Sequence, residues 1–212
     1  MPPGQPRWRR RKDARPVEIV AAALEVFAEK GFAAARLEDI AARAGVSKGA
    51  LYLYFETKQH LFEAVVREAV LPDIEAVERV ATSGDIPFAS LARMLVTRVA
   101  EFAGTSPLGA VAKMVIAESR NFPDLARVWH DQVVSRALGV LGGVIEQAQA
   151  RGEVRPGDPR YHAFSIIGPL LMGVIWREVL QPAGGAPVDL RALAAQHVET
   201  ALGGLLTGEG RA

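Results

Sequence analysis

Apolar residues recur at helical spacing along most of this chain. Val20, Ala23, Leu24 and Phe27 stand at i, i+3, i+4 and i+7. They predict an amphipathic helix that opens at Pro16, a residue suited to a first turn, and stops at Gly31. Leu37, Ile40, Ala41 and Ala44 repeat the spacing, and Gly45 supplies the left-handed residue that ends a short second helix. Ser47 is placed to cap a third, running through Phe55. Thr57 is placed to cap a fourth, with Leu61, Phe62, Val65 and Val66 inward, carrying on past Pro72 to Val80 as the link between two domains.

The remaining pattern is also helical. Phe88, Leu91, Leu95, Val99 and Phe102 mark one helix and Leu108, Val111, Val115 and Ile116 the next, with Gly104 and Pro107 between them. Phe122-Pro123-Asp124 opens a long helix through Ala148, stopped by Gly152 and Pro156, and Asp158 caps its successor. From Tyr161 to Leu180 that successor is apolar almost all round, which predicts burial on more than one side. Pro169 within it, flanked by Gly168 and Gly173, is expected to kink it or to leave a carbonyl without a donor. Leu190, Leu193, His197, Val198, Leu202 and Leu205 mark the last helix. Two apolar helices at the end of a chain suit a homodimeric four-helix bundle; the alternative is a core closed within one chain.

Composition agrees with an all-α protein: half of the 212 residues are hydrophobic, Ala, Leu and Val abound, and aromatics are few. The expected domains are a basic disordered arm over 1–15, a small three-helix unit over 16–60 and a larger helical unit over 61–212. The absence of cysteine excludes disulfides, thiolate catalysis and Cys-ligated zinc. The amino terminus lacks an apolar signal stretch, and the longest apolar run, Ala163 to Trp176, falls short of a bilayer span, so a cytoplasmic protein without a membrane segment is expected. Net charge is +1 but uneven: residues 1–60 carry 11 Lys/Arg against 7 Asp/Glu, and residues 61–212 carry 14 against 17. A front end at +4 and a remainder at −3 point to a polyanion as the partner of the front end, or to a merely solvated basic tail.

No catalytic constellation emerges. His60, His130, His162 and His197 are dispersed, and no H-E-x-x-H, G-x-S-x-G, Walker loop or G-x-G-x-x-G is present. His130 beside Asp131 is the one pairing of note, and neighbouring side chains on a helix diverge. No enzyme, cofactor or metal site is expected.

The second and third helices, joined by a tight Gly turn, have the proportions of a helix-turn-helix packed on the first. Leu51 and Phe55, four apart, point inward and leave Lys48, Gly49, Tyr52 and Leu53 on the outer face. A major groove about 12 Å wide accepts one such helix, its first residues reading base edges and its flanks touching phosphate. In that arrangement Lys48 meets guanine or phosphate, Gly49 and Ala50 permit close approach, Ser47, Tyr52 and Tyr54 offer hydroxyls, and Lys58 clamps a phosphate. Arg36 lies beside the same backbone, and Arg7 to Arg15 add salt-sensitive contacts.

The run Phe27-Ala28-Glu29-Lys30-Gly31-Phe32, followed by Asp39 to Lys58 (DIAARAGVSKGALYLYFETK), closely resembles the TetR/AcrR family signature. The resemblance implies a dimeric, ligand-responsive transcriptional regulator, most often a repressor, in which the third helix enters the major groove and a small molecule in the carboxy-terminal domain releases the operator. By position it assigns DNA contact to Lys48, Gly49, Tyr52, Tyr54 and Lys58. Two departures stand out. Ala35 replaces a Thr or Ser, removing a cap and a phosphate contact that Arg36 is placed to supply, and Leu53 replaces a polar residue and is suited to a thymine methyl. Ile116 to Leu125 (IAESRNFPDL) also resembles a segment found near the ligand core of some members.

A sensor needs a cavity, and large or flexible side chains on facing helices are its expected lining: Phe102, Met114, Glu118, Trp129, Phe164, Met172 and Trp176. The partners expected are therefore double-stranded DNA at a pseudo-palindromic site, a mainly apolar small molecule, and a second copy of the chain through the last two helices.

Overall fold

The computed structural model describes residues 15–82 and 86–208. The arm expected over 1–15 lies outside the described residues except for Arg15, where the first helix begins. The helices are α1 (Arg15–Ala34), α2 (Leu37–Arg43), α3 (Lys48–Tyr52), α4 (Lys58–Ala69), α5 (Leu71–Ala81), α6 (Phe88–Thr105), α7 (Leu108–Glu118), α8 (Pro123–Trp129), α9 (Ser135–Ala150), α10 (Pro159–Ile175) and α11 (Leu190–Leu205). Turns of π-helix, His130–Val134 and Trp176–Leu180, join α8 to α9 and extend α10. Among the described residues there is no strand, only an isolated bridge between Val154 and Leu206.

The chain forms two compact units, Met1–Glu68 and Ala69–Ala212. The boundary expected after residue 60 falls inside α4, because α4 completes the core of the first unit. Its Leu61, Phe62, Val65 and Val66 are fully withdrawn from solvent, and the Phe62 ring stands edge-on to Phe32 of α1 at 6.1 Å. Phe32 in turn lies 5.4 Å from Phe27. Burying each such ring contributes roughly 2–3 kcal/mol. Ile19, Ile40 and Leu51 fill the rest.

Local signals set the element ends. Gly31 leaves helical geometry at φ 76° and bends the chain at the end of α1. Gly45, at φ 65°, closes α2 in a Schellman motif: its N–H donates to Ala42 O and that of Val46 to Ala41 O. Ser47 Oγ accepts from Ala50 N–H at 3.1 Å and starts α3. That helix stops at Tyr52, earlier than the expected Phe55, since the N–H groups of Tyr54 and Phe55 both turn back onto Leu51 O. Thr57 Oγ1 caps α4 through His60 N–H. The link expected as one helix to Val80 is two, for the backbone breaks at Val70 (φ −120°, ψ −45°) and Pro72, which has no N–H to donate, opens α5.

In the second unit Phe88, Leu95, Ile145, Ile166, Leu170, Val198 and Leu202 belong to one core shared by α6, α9, α10 and α11. Val111, Ala112, Met114 and Val115 bury one side of α7, and the next position round, Ile116, turns outward instead of joining them. Gly173 allows α11 to close on α10: a Cβ there would stand 2.6 Å from Leu193 Cδ2 and 2.8 Å from Leu190 Cδ2.

α10 runs on through Pro169. Proline has no N–H for the carbonyl four residues back, which is Ser165. His197 of α11 supplies the donor, its Nε2 lying 3.1 Å from Ser165 O and 3.0 Å from Ile166 O. Two carbonyls facing one ring nitrogen require that nitrogen to carry the proton. With its π-turn this helix spans Pro159–Leu180, 22 residues whose most apolar 18-residue window has a mean hydropathy of 1.5. The run Ala163 to Trp176 is thus part of a longer helix, which by length and composition alone could cross a membrane, a property that core helices share.

Candidate nucleic-acid interface and sensor cavity

The first unit presents α3 on a frame of ion pairs. Arg43 of α2 reaches α1 with two bonds of 2.8 Å to Glu29 and one of 3.1 Å to Glu25, and Lys30 meets Asp39 at 2.8 Å. The pairing with Arg43 holds the Glu29 carboxyl below its ordinary range, and the Lys30 contact does the same for Asp39. A helix of five residues is far too short to persist alone, so α3 depends on this frame and on Leu51, which is fully buried beneath it.

Its outer face matches the sequence pattern. Leu53 is 84% exposed and Tyr52 42%, while Leu51 and Phe55 point inward. Ser47, Lys48, Gly49 and Tyr54 are exposed too, and Ala50 is half-buried. A Cβ placed on Gly49 would meet nothing within 4 Å, so packing inside the protein does not demand glycine there. Arg36 is exposed and occupies the N-cap position of α2 without a side-chain cap, while Ala35, where a capping hydroxyl was expected to be missing, lies one residue earlier and is buried.

Two cations differ from the sequence reading. Lys48 is paired across to Glu38 of α2 at 2.5 Å, its ammonium 5.8 Å from the Tyr52 ring centre. This bond, more than any other cause, lowers the Glu38 carboxyl and raises the Lys48 ammonium. Lys58 turns away from the outer face. Its Nζ donates to Phe32 O at 2.5 Å, Ala33 O at 3.1 Å and Ala35 O at 3.0 Å, and stands 4.6 Å from the Phe32 ring centre. An ammonium has three N–H groups, and a helix end presents unpaired carbonyls that attract cations. Lys58 thus ties α4 to the end of α1, a structural role in place of the phosphate clamp predicted for it.

The second unit holds a recess. Ile74, Val77 and Glu78 of α5, Ala92, Leu95, Val96 and Val99 of α6, Ala137, Val140 and Leu141 of α9, and Ile166, Ile167 and Leu170 of α10 line about 560 Å³ of empty space, its open mouth counted. None of the seven residues expected to form a ligand site is among them. Met114 is buried, Phe102, Glu118 and Trp129 are half-buried, and Phe164 and Met172 stand exposed on the outer face of α10. Trp176 donates its indole N–H to Ala186 O at 2.8 Å, so that ring fixes the loop before α11. At one edge of the recess Glu78 accepts two bonds from Arg136, of 2.9 and 2.6 Å, a bidentate pair that raises the guanidinium's affinity for its proton.

His130 Nδ1 lies 2.7 Å from Asp131 Oδ1, so these neighbours do meet, contrary to the divergence expected of adjacent helix positions; the π-turn here alters their spacing around the axis. Ser135 Oγ lies 3.2 Å from His130 Nε2 and 3.5 Å from Nδ1. An oxygen almost equidistant from both ring nitrogens is aligned with neither lone pair, and His130 and Asp131 are mostly exposed. None of the three lines the recess.

A short, externally polar helix set behind a Gly turn, followed by a larger helical unit with an apolar recess, defines the class of two-domain helix-turn-helix regulators. The comparisons with known proteins agree. Residues 19–65 match the family of bacterial regulatory proteins named for tetR, and residues 92–183 match the tetracyclin repressor-like carboxy-terminal domain. The chain belongs to the TetR family of ligand-responsive transcriptional regulators. It is 27% identical over 148 residues to the fatty acid metabolism regulator protein of Bacillus subtilis, covering 69% of this chain and 75% of that one. It is 28% identical over 167 residues to the transcriptional regulator RutR of Escherichia coli, covering 72% and 70%. A TetR-family regulator structure from Mesorhizobium loti superposes with a TM-score of 0.75 at 26% identity, over 93% of this chain and 99% of that one. The SmeT–triclosan complex does so with a TM-score of 0.76 at 25% identity, over 92% and 93%. Relatives with names of this kind are regulators rather than enzymes.

Proposed function

We propose that the chain is a repressor that binds a pseudo-palindromic operator as a homodimer, with α3 in the major groove, and that an apolar small molecule in the recess of the second unit releases it. The observation that carries the DNA part is the outer face of α3. Leu53 and two tyrosines stand in water where burial is available to residues of their kind, while Leu51 and Phe55 on either side of them are withdrawn. Lys48, Gly49, Ala50, Tyr52, Leu53 and Tyr54 then read or approach the bases, and Ser47 and Arg36 hold the backbone.

Support for the dimer comes from α10, whose Tyr161, Phe164, Leu171 and Met172 share one exposed face opposite the buried Ala163, Ile166, Leu170 and Val174. A second copy laid on this face and on α11 withdraws it from water, and two copies spaced for successive major grooves match a site with two-fold symmetry. This occupant also fits the face better than lipid, since Arg160, Arg177 and Glu178 lie within the helix. A protein that reads chromosomal DNA works in the cytoplasm. The effector role rests on the apolar lining, and α5, which contributes three lining residues, is one residue removed from α4 along the chain. One of the similar structures is a SmeT–triclosan complex. A ligand that favours the operator-incompetent state by about 1–3 kcal/mol suffices as a switch.

The test is fluorescence anisotropy of the purified protein on labelled DNA from its own upstream region and on scrambled DNA, across a salt series. Tight binding confined to the upstream DNA supports the reading; equal, weak binding to both overturns operator recognition there.

A further inference from the structure

Each base shows the major groove its own edge: guanine two acceptors, adenine an acceptor and a donor, cytosine a donor, and thymine an acceptor beside a methyl group. Side chains that grip a polar edge at two points are Arg or Lys on guanine and Asn or Gln on adenine, and Asp or Glu accepts from cytosine. Residues 47–54 (SKGALYLY) contain no Arg, Asn, Gln, Asp or Glu. Lys48, the one charged side chain of the stretch, already donates to Glu38 at 2.5 Å, so a guanine gains its donors only at the loss of that bond. The hydroxyls of Ser47, Tyr52 and Tyr54 donate and accept, so they suit any base or a phosphate and discriminate little.

Leu53, at the C-cap of α3, is more exposed than any other large hydrophobic side chain among the described residues. The backbone holds it there. Its φ of −68° and ψ of −22° are helical, its N–H donates to Gly49 O at 3.3 Å, and the N–H groups of Tyr54 and Phe55 both close on Leu51 O at 3.0 Å. Turning Leu53 inward would draw the buried Leu51 and Phe55 out of the core. An isobutyl group has no donor or acceptor, so a polar base edge pressed against it loses water and gains no partner. Of the four edges only that of thymine offers it apolar surface. Resting on the reading that places α3 in the major groove, we infer that Leu53 is a specificity-determining residue: it covers the 5-methyl group of a thymine in each half-site, so that the end of α3 reads by apolar contact and not by hydrogen bonds.

The experiment begins with a pool of random-sequence duplexes, from which the full-length protein selects its sites; the selected half-sites are expected to share a thymine. Each thymine is then replaced in turn by uracil, which pairs in the same way and lacks only the methyl, and affinity is read by fluorescence anisotropy. At the shared thymine the loss is expected to be about fourfold for one half-site and about fifteenfold for both, the worth of one buried methyl at each. Placing 5-methylcytosine there is expected to bind about fourfold tighter than cytosine, because it returns the methyl on a different base. Leu53→Ala, its fold checked by circular dichroism, is expected to hold thymine and uracil duplexes within about twofold of each other and to select sites in which that position is relaxed. Wild-type protein that holds uracil as tightly as thymine at every position overturns the inference; a loss of affinity in Leu53→Ala then assigns the side chain to a sugar instead. Equal uracil losses in both proteins also overturn it, as does 5-methylcytosine bound no tighter than cytosine. In each of these cases the selected site remains, and the operator reading with it. A pool from which no sequence is enriched removes both.

Discussion

At the residue scale, Gly49 and Lys58 separate reading from holding. Gly49 sits in a helix with open space before it, so Gly49→Ala is expected to stabilise the free protein by about 0.5–1 kcal/mol through helix propensity. The same methyl stands between the backbone of α3 and a base edge, so operator affinity should fall. Lys58→Met should do the reverse of what its place beside the recognition helix suggests. Removing three bonds to main-chain carbonyls lowers stability by roughly 2 kcal/mol, and DNA binding declines only as far as the folded fraction does. Thermal melts and operator titrations of both variants check this; a stable Lys58→Met protein that has lost DNA affinity assigns Lys58 to phosphate after all. The sequence placed Lys58 at the start of a helix next to the DNA face. It held no sign that the α1 carbonyls lay closer than any phosphate, because that contact joins positions 23 to 26 residues apart.

At the scale of elements, spacing and caps were legible. Ser47, Thr57 and Asp158 all accept N–H groups at the helix starts they were expected to cap, and Asp189, not singled out in the sequence, does the same for α11. The break at Val70 was not, because Val66, Val70, Ile74 and Val77 keep helical spacing straight through it and Pro72 is tolerated in a first turn. The recess was hidden for a different reason. Large and aromatic side chains were expected to line it, yet they fill space. The gap opens where Val, Ile, Leu and Ala on four helices fall short of one another, and no single segment records that. Pro169 was expected to kink the helix or to leave a carbonyl without a donor; the carbonyl it deprives, Ser165 O, is met by His197, which lies a helix away. His197→Ala is expected to cost about 1–2 kcal/mol, by leaving Ser165 O unpaired. In a Pro169→Ala background, where an amide returns to that carbonyl, the same change should cost much less. Chemical denaturation of the four proteins measures the coupling, and equal costs in both backgrounds exclude it.

At the scale of the whole molecule, the basic excess of residues 1–60 falls in residues 1–14, outside the described residues, since residues 15–60 carry six Lys/Arg and six Asp/Glu. The dimer proposed above closes on the outer face of α10. A dimer closed on that face should have twice the 22.7 kDa of the chain in light scattering, and Phe164→Glu should return it to one copy, since a buried carboxylate without a partner is strongly disfavoured. A lone copy engages one half-site only, so operator affinity should fall by orders of magnitude with the folded mass unchanged. A Phe164→Glu protein that stays dimeric moves the interface elsewhere.

The pairing of Lys48 with Glu38 has a kinetic meaning. A cation already neutralised by its own neighbour offers passing phosphates little, because each contact must first displace a carboxylate. Such a protein loses affinity less steeply with salt than its exposed cations would suggest. If Lys48 contacts DNA as proposed, arbitrary sequence should be held loosely and released quickly. Glu38 is then expected to yield only where the base edges also favour the exchange, so that one carboxylate on α2 shortens the pauses of the search without touching a base.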